Sequence, residues 1–159
     1  MDVTPLITEL LSARTWTAFD VDDQGRVLAG HDELGSVQLV EIDPDGSWVP
    51  LTDLPSRCSG RYVPGQRTVI VQHDQGGDEK VQLSLLDLDQ FPRRAAGLAG
   101  LSPLVHDESY MHDLREITAQ TLLYSTNRRN GVDMDVIARD LATGDERVLH
   151  DRGGYVVGA

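Results

Sequence analysis

The residues best able to do chemistry fall in a few short clusters. His106-Asp107-Glu108-Ser109 sets the residue types of a hydrolytic triad side by side. A triad needs its groups to converge in space, not in sequence. A serine nucleophile on a strand-to-helix elbow also needs Gly-x-Ser-x-Gly, and the sequence contains no such pattern. The cluster therefore reads as a polar loop, and no catalytic residue is assigned. His-Asp pairs recur at His31-Asp32, His73-Asp74, His106-Asp107 and His112-Asp113, and both residue types ligate zinc and manganese. The first two pairs close equivalent strands of a repeat described below, so they point in different directions and read as polar strand ends. Asp43-x-Asp45-Gly46 lacks the spaced acidic loop and distal Glu of a calcium site. Gly76-Gly77 and Gly153-Gly154 lack the Lys-Ser/Thr of a phosphate loop. The single cysteine, Cys58, can form neither an intrachain disulfide nor a cysteine-based zinc site. No metal and no cofactor is expected. Arg128-Arg129 can hold a carboxylate through paired guanidinium hydrogen bonds; a solvated turn with local ion pairs is the alternative.

These clusters sit on, or between, short strands. Thr4 to Leu11 reads as a short helix: Thr4 caps it, Pro5 suits its first turn, and Leu6, Ile7, Leu10 and Leu11 share one face. After Arg14, runs of β-branched and aromatic residues alternate with Gly-, Pro-, Asn- and Asp-rich turns, which is the strand pattern. Three segments then repeat. Val27–Asp32 with Val37–Asp43, Val69–Asp74 with Val81–Asp87, and Leu122–Asn127 with Asp135–Leu141 are each a strand, a Gly-containing connection and a second strand ending at or next to Asp. Their first residues are 42 and 53 positions apart, near the roughly 40–50 residues of a propeller blade. The longer spacing is assigned to an inserted stretch, Arg93 to His106. Flanking candidate strands at Thr15–Phe19, Trp48–Leu51, Gly60–Val63, Leu114–Ile117 and Glu146–Leu149 bring the units toward four strands each. The expected fold is all-β: an incomplete β-propeller of about three four-stranded blades plus the N-terminal helix. The helix takes residues 1–13 and the partial propeller 14–159. The blades fall at about 14–53, 58–92 and 112–151, and a further blade begins at 154.

Composition sets limits on partners. The chain has 159 residues, with 14 Lys and Arg against 26 Asp and Glu, a formal charge of −12. Such a surface disfavours nucleic acid, which is bound through clustered Lys and Arg, and disfavours anionic lipid. Trp16, Phe19, Trp48, Tyr62 and Tyr124 lie within strands and read as packing between blades, with no basic groove beside them. No basic, apolar leader opens the chain, and no apolar run approaches the roughly 20 residues of a membrane span. A cytoplasmic location is expected.

Two segments carry a family resemblance. His73-Asp74-Gln75-Gly76-Gly77-Asp78-Glu79-Lys80-Val81-Gln82-Leu83-Ser84-Leu85-Leu86-Asp87-Leu88 resembles the blade motif of acylaminoacyl-peptidase and dipeptidyl-aminopeptidase-like members of the prolyl-oligopeptidase family of serine peptidases. Ser125-Thr126-Asn127-Arg128-Arg129-Asn130-Gly131, followed by Asp135 before a strand, is similar to a second pattern of that family, and Asp140–Glu146 to the hairpin after it. The resemblance extends over essentially the whole chain after the helix. It implies an N-terminal propeller that gates peptide access to an α/β-hydrolase domain carrying the triad. That domain and about four blades are absent from this sequence, so the chain by itself is expected to be inactive. The resemblance further implies that Asp78 and Glu79 could receive a peptide amino group and that Arg128 and Arg129 could hold its carboxylate. The implied partners are the hydrolase domain and a peptide substrate.

Two other readings stand beside this one. A TolB-like binding module has similar polar turns and Asp-ending strands. An unrelated β-sandwich fits the 42- and 53-residue spacing less well. An unclosed ring would leave apolar blade faces uncovered. Truncation of a longer polypeptide, and self-association through those faces, are therefore expected.

Overall fold

A computed structural model describes residues 14–33, 35–90 and 95–153. The expected N-terminal helix and the start of a further blade at 154 lie outside the described residues. Twelve strands follow one another in chain order: β1 (Trp16–Val21), β2 (Val27–His31), β3 (Gln38–Ile42), β4 (Trp48–Pro50), β5 (Cys58–Tyr62), β6 (Thr68–His73), β7 (Gln82–Asp87), β8 (Ser102–Val105), β9 (His112–Ile117), β10 (Thr121–Thr126), β11 (Asp135–Asp140) and β12 (Glu146–His150). They form three four-stranded sheets ordered β1-β2-β3-β4, β5-β6-β7-β8 and β9-β10-β11-β12. Every pairing is antiparallel. Three successive antiparallel meanders packed face to face are propeller blades.

The second blade takes its fourth strand from Ser102–Val105, inside the stretch that sequence reading assigns to an insertion. A 3₁₀ turn at Leu98–Gly100 precedes it. Ala96 anchors the same stretch to the first blade by exchanging backbone bonds with Leu51 and Asp53.

Alternation along the strands builds two interblade cores. Leu28, Leu39 and Leu51 of blade one meet Cys58, Tyr62, Val69, Val71 and Leu86 of blade two. Ile70 and Leu83, on the opposite face of blade two, meet Leu122, Tyr124 and Ile137 of blade three. Fully burying one such aliphatic side chain is worth about 1.5–3 kcal/mol, so the blades hold one another up. Gly30 lets Phe19 lie across the first sheet: a Cβ there would stand 2.6 Å from Val37 Cγ1 and 2.8 Å from Phe19 Cε2. Phe19 itself occupies an irregularity between Ala18 and Asp20 that re-aims its side chain.

Polar side chains fasten the interfaces. The Gln38 side-chain amide donates to the Leu54 and Ser56 carbonyls and accepts from Leu54 N–H at 2.8 Å. Gln82 likewise donates to the Asp107 and Tyr110 carbonyls and accepts from Asp107 N–H at 2.8 Å. Between blades one and two, buried Glu41 accepts from Tyr62 Oη at 2.7 Å and from both Arg67 Nη atoms at 2.8 and 2.9 Å. Burial alone would raise the Glu41 carboxyl, but the hydrogen bonds from Arg67 and Tyr62 hold it below its ordinary range.

Candidate functional site

In a chain-order antiparallel meander, alternate connections emerge at the same end of the sheet. The β2–β3, β6–β7 and β10–β11 loops therefore share an end with the β4–β5 and β8–β9 crossings. Side chains tie these segments together. The Ser56 hydroxyl donates to the Asp74 carboxylate, and the Gln75 amide donates to Glu108 at 2.6 Å. The Ser56 hydroxyl is also the leading cause that holds the Asp74 carboxyl below its usual range.

A cleft of about 500 Å³ opens at this end, beside β1 and β5, the first strands of blades one and two. Phe19 and Thr17 line one side, Ser59 and Arg57 the other, and His73 and Glu79 its loop-side rim. Glu79 has φ 61°, a left-handed conformation that is uncommon for a non-glycine residue. Asp78 is occupied with the turn itself, accepting from Lys80 N–H at 3.0 Å and Gln75 N–H at 3.4 Å. Of the acidic pair, then, Glu79 lines the cleft and Asp78 shapes its loop.

The arginine pair lies in the equivalent loop of blade three. Arg128 Nη2 donates to Glu146 Oε2 at 2.5 Å. Arg129 makes a fork to Asp135, with Nε–Oδ2 at 2.9 Å and Nη2–Oδ1 at 3.0 Å, and reaches Asp133 at 3.2 Å. No ion pair joins the arginine pair to Asp78 or Glu79 among the described residues. Arg128 instead lines a second cleft, between blades two and three.

Among the described residues the cleft is lined by groups that can bind a ligand, and the serine–histidine contact at its rim runs to Ser84, which is buried and does not line the cleft. His73 Nε2 contacts Ser84 Oγ at 2.9 Å, and burial holds this imidazole below its ordinary pKa, hence neutral. The Cys58 thiol is buried, which pushes its pKa up and leaves it a poor nucleophile. In the His106–Ser109 cluster, Ser109 N–H donates to Asp107 Oδ1 at 3.0 Å and His106 Nε2 lies 3.5 Å from Glu108; these contacts are local and form no relay. Among the described residues no group of three His, Cys, Asp or Glu could hold a metal ion, and no helix is long and apolar enough to cross a membrane. Sequence reading did not single out Arg57, and weighed Ser59, next to Gly60, only as a serine without the nucleophile pattern. Their one signal was position, at the start of β5, the first strand of its blade.

The three meanders define a run of β-propeller blades, and comparison with solved structures agrees. TolB from Acinetobacter baumannii superposes with a TM-score of 0.62 at 18% identity, over 88% of this chain and 33% of that one. A puromycin-hydrolyzing peptidase of Mycobacterium tuberculosis gives 0.65 at 16% identity, over 90% of this chain and 22% of that one. An oligogalacturonate lyase, in complex with manganese, gives 0.57 at 13% identity, over 89% and 42%. The chain thus spans less than half the length of each. At these identities the likeness shows the fold. No protein-family model matches the sequence, and no curated protein matches it.

Proposed function

We propose that this chain is the opening part of the propeller of a prolyl-oligopeptidase-type serine peptidase, where it gates peptide access to an α/β-hydrolase domain. The observation that carries the reading is the agreement of two independent signals. The Gly76-Gly77-Asp78-Glu79 and Arg128-Arg129-Asn130-Gly131 loops resemble that family's blade motifs. A peptidase propeller is also among the structures that superpose over nine-tenths of the chain. In this reading the cleft at β1 and β5 is where an entering peptide first meets the propeller. Glu79 receives its amino group, Arg57 a carboxylate, and Phe19 an apolar side chain. Asp78 keeps Glu79 in place, and Arg128 and Arg129 shape the equivalent loop one blade on. The setting is cytoplasmic.

A second reading, a TolB-like binding module without hydrolase, is supported by the superposition on TolB. The coding sequence downstream of Ala159 separates the two. A Gly-x-Ser-x-Gly elbow with a later Asp and His is expected. A frame that contains only further blades would replace the peptidase reading with the binding module.

A further inference from the structure

Both asparagines of the chain, Asn127 and Asn130, lie in the β10–β11 loop, and Gly131 follows the second. An Asn-Gly step is open to deamidation, because glycine has no Cβ to hinder attack by its backbone nitrogen. The Gly131 nitrogen gives up its proton and bonds to Asn130 Cγ, the Cγ–Nδ2 bond breaks, and ammonia leaves. Water then opens the cyclic imide to aspartate or isoaspartate. Asn130, Gly131 and Val132 are exposed, so water reaches the site.

The loop ties the groups that this reaction must move. The Gly131 N–H donates to the Asn127 carbonyl at 2.7 Å, which holds the proton that the nucleophile must lose. Asn127 Nδ2 donates to the Gly131 carbonyl at 3.0 Å and steadies the same residue from its other side. Asn130 Nδ2, the leaving nitrogen, donates to Asp133 Oδ2 at 2.8 Å. Asn130 Oδ1 accepts from Val132 N–H at 3.0 Å and Asp133 N–H at 2.9 Å. Those two donors would favour charge on Oδ1, but the held proton and the held leaving group oppose the reaction at both ends. Arg129 Nη2 reaches the Asp133 carboxylate at 3.2 Å, and Arg129 is itself forked onto buried Asp135. The hydrogen bond from Asn130 is the leading cause that holds the Asp133 carboxyl below its ordinary range, so near neutral pH it remains an ionised acceptor.

We infer that Asn130-Gly131 is a deamidation site that the folded loop keeps shut, with Asp133 as the latch and Arg129 holding the latch in place. Deamidation would set a second carboxylate, or a main chain lengthened by a methylene, against Asp133 and so loosen the loop for good. The site is separate from the cleft at β1 and β5 and does not depend on the peptidase reading.

The test ages the whole chain at mildly alkaline pH, folded and in guanidinium chloride, and locates deamidation by peptide mapping with an isoaspartate assay. The parent is expected to deamidate at Asn130 at least about tenfold more slowly when folded, the effect of several hydrogen bonds that must open together. Asp133→Ala removes the latch while Arg129 still covers Asp135, and it should lose severalfold of that protection. Gly30→Ala weakens the fold in blade one and should leave the rate at Asn130 unchanged. Equal rates in the folded and unfolded parent, a faster folded rate, full protection in Asp133→Ala, or the same acceleration in Gly30→Ala would each overturn the assignment.

Discussion

Gln82 repeats Gln38 one blade later: each opens the third strand of its sheet and pins, through both ends of its amide, the crossing that leads into the next blade. Each is buried, at 0% and 3% exposure. The pairs His31↔Gln38 and His73↔Gln82 occupy the same register, and Thr126↔Asp135 takes their place in blade three. There the side chain at the equivalent position is a carboxylate, and Arg129 covers it.

Gln82→Ala should therefore cost far more than an ordinary surface change. It leaves Asp107 N–H and the Lys80, Asp107 and Tyr110 carbonyls without this partner, and an unsatisfied buried group costs about 1–3 kcal/mol. A loss of roughly 2–4 kcal/mol is expected, read as a lower urea midpoint at unchanged slope. Gln38→Ala should behave alike. A loss under about 0.5 kcal/mol, the range of ordinary surface substitutions, would mean that the crossings hold themselves.

The Glu41–Arg67–Tyr62 cluster gives stability an acid limb. Burial opposes the Glu41 charge, and the hydrogen bonds from Arg67 and Tyr62 more than offset it, so the folded-state pKa is lowered. The contribution is complete above the unfolded value of about 4.3 and is lost as the pH falls through the lower folded value. Glu41→Gln should flatten the stability profile in that window relative to the parent. His73 and His112 act higher: burial is the leading cause lowering both, so stability should decline as the pH falls below about 6.5, where the unfolded chain takes up the protons. Denaturant midpoints measured from pH 3 to 8 would separate the two limbs, and a parent and Glu41→Gln of identical shape would refute the first.

Gly30 and Phe19 should be energetically coupled. A methyl group at residue 30 meets Phe19 and Val37 inside van der Waals distance, and overpacking of this kind costs about 1–3 kcal/mol. Shortening the aromatic to Leu makes room. The double variant Gly30→Ala/Phe19→Leu should therefore be less destabilised than the sum of the two single variants, by more than about 0.5 kcal/mol. Additive losses would show that the ring does not depend on the glycine.

Much of the scaffold was readable from residue order, because three hairpins repeat a strand, a Gly-bearing loop and a strand ending at or next to Asp. β8 was not. Ser102-Pro103-Leu104-Val105 is short, contains a proline, and alternates too briefly to declare itself; its partner β7 supplies the ladder. The loops with site potential were legible as polar turns, but their directions were not. Glu79 turns toward a cleft while its neighbour Asp78 turns into its own loop, and Arg128 and Arg129 are taken up by Glu146 and Asp135. His112 looked like one of four His-Asp pairs. Its burial depends on residues far along the chain, Tyr124 among them, which no local pattern announces.

The half-exposed tryptophans of blade one should make the chain self-associate. Trp16 stacks on His31 with ring centroids 4.0 Å apart, and Trp48 meets both edge-on. Neighbouring residues alternate, so Leu28 and Leu39 enter the core shared with blade two and this aromatic group occupies the opposite face. Trp16 and Trp48 remain 48% and 41% exposed, a patch of the kind that marks contact sites. Blade three offers a competing contact: β12 is an edge strand with Val148 and Leu149 exposed. Sedimentation velocity over a range of concentrations distinguishes them. Trp48→Lys should shift the chain toward monomer while Val148→Lys leaves association largely intact. The reverse order would assign the contact to the β12 edge, and a monomeric parent at all concentrations would show that the aromatic face does not drive association.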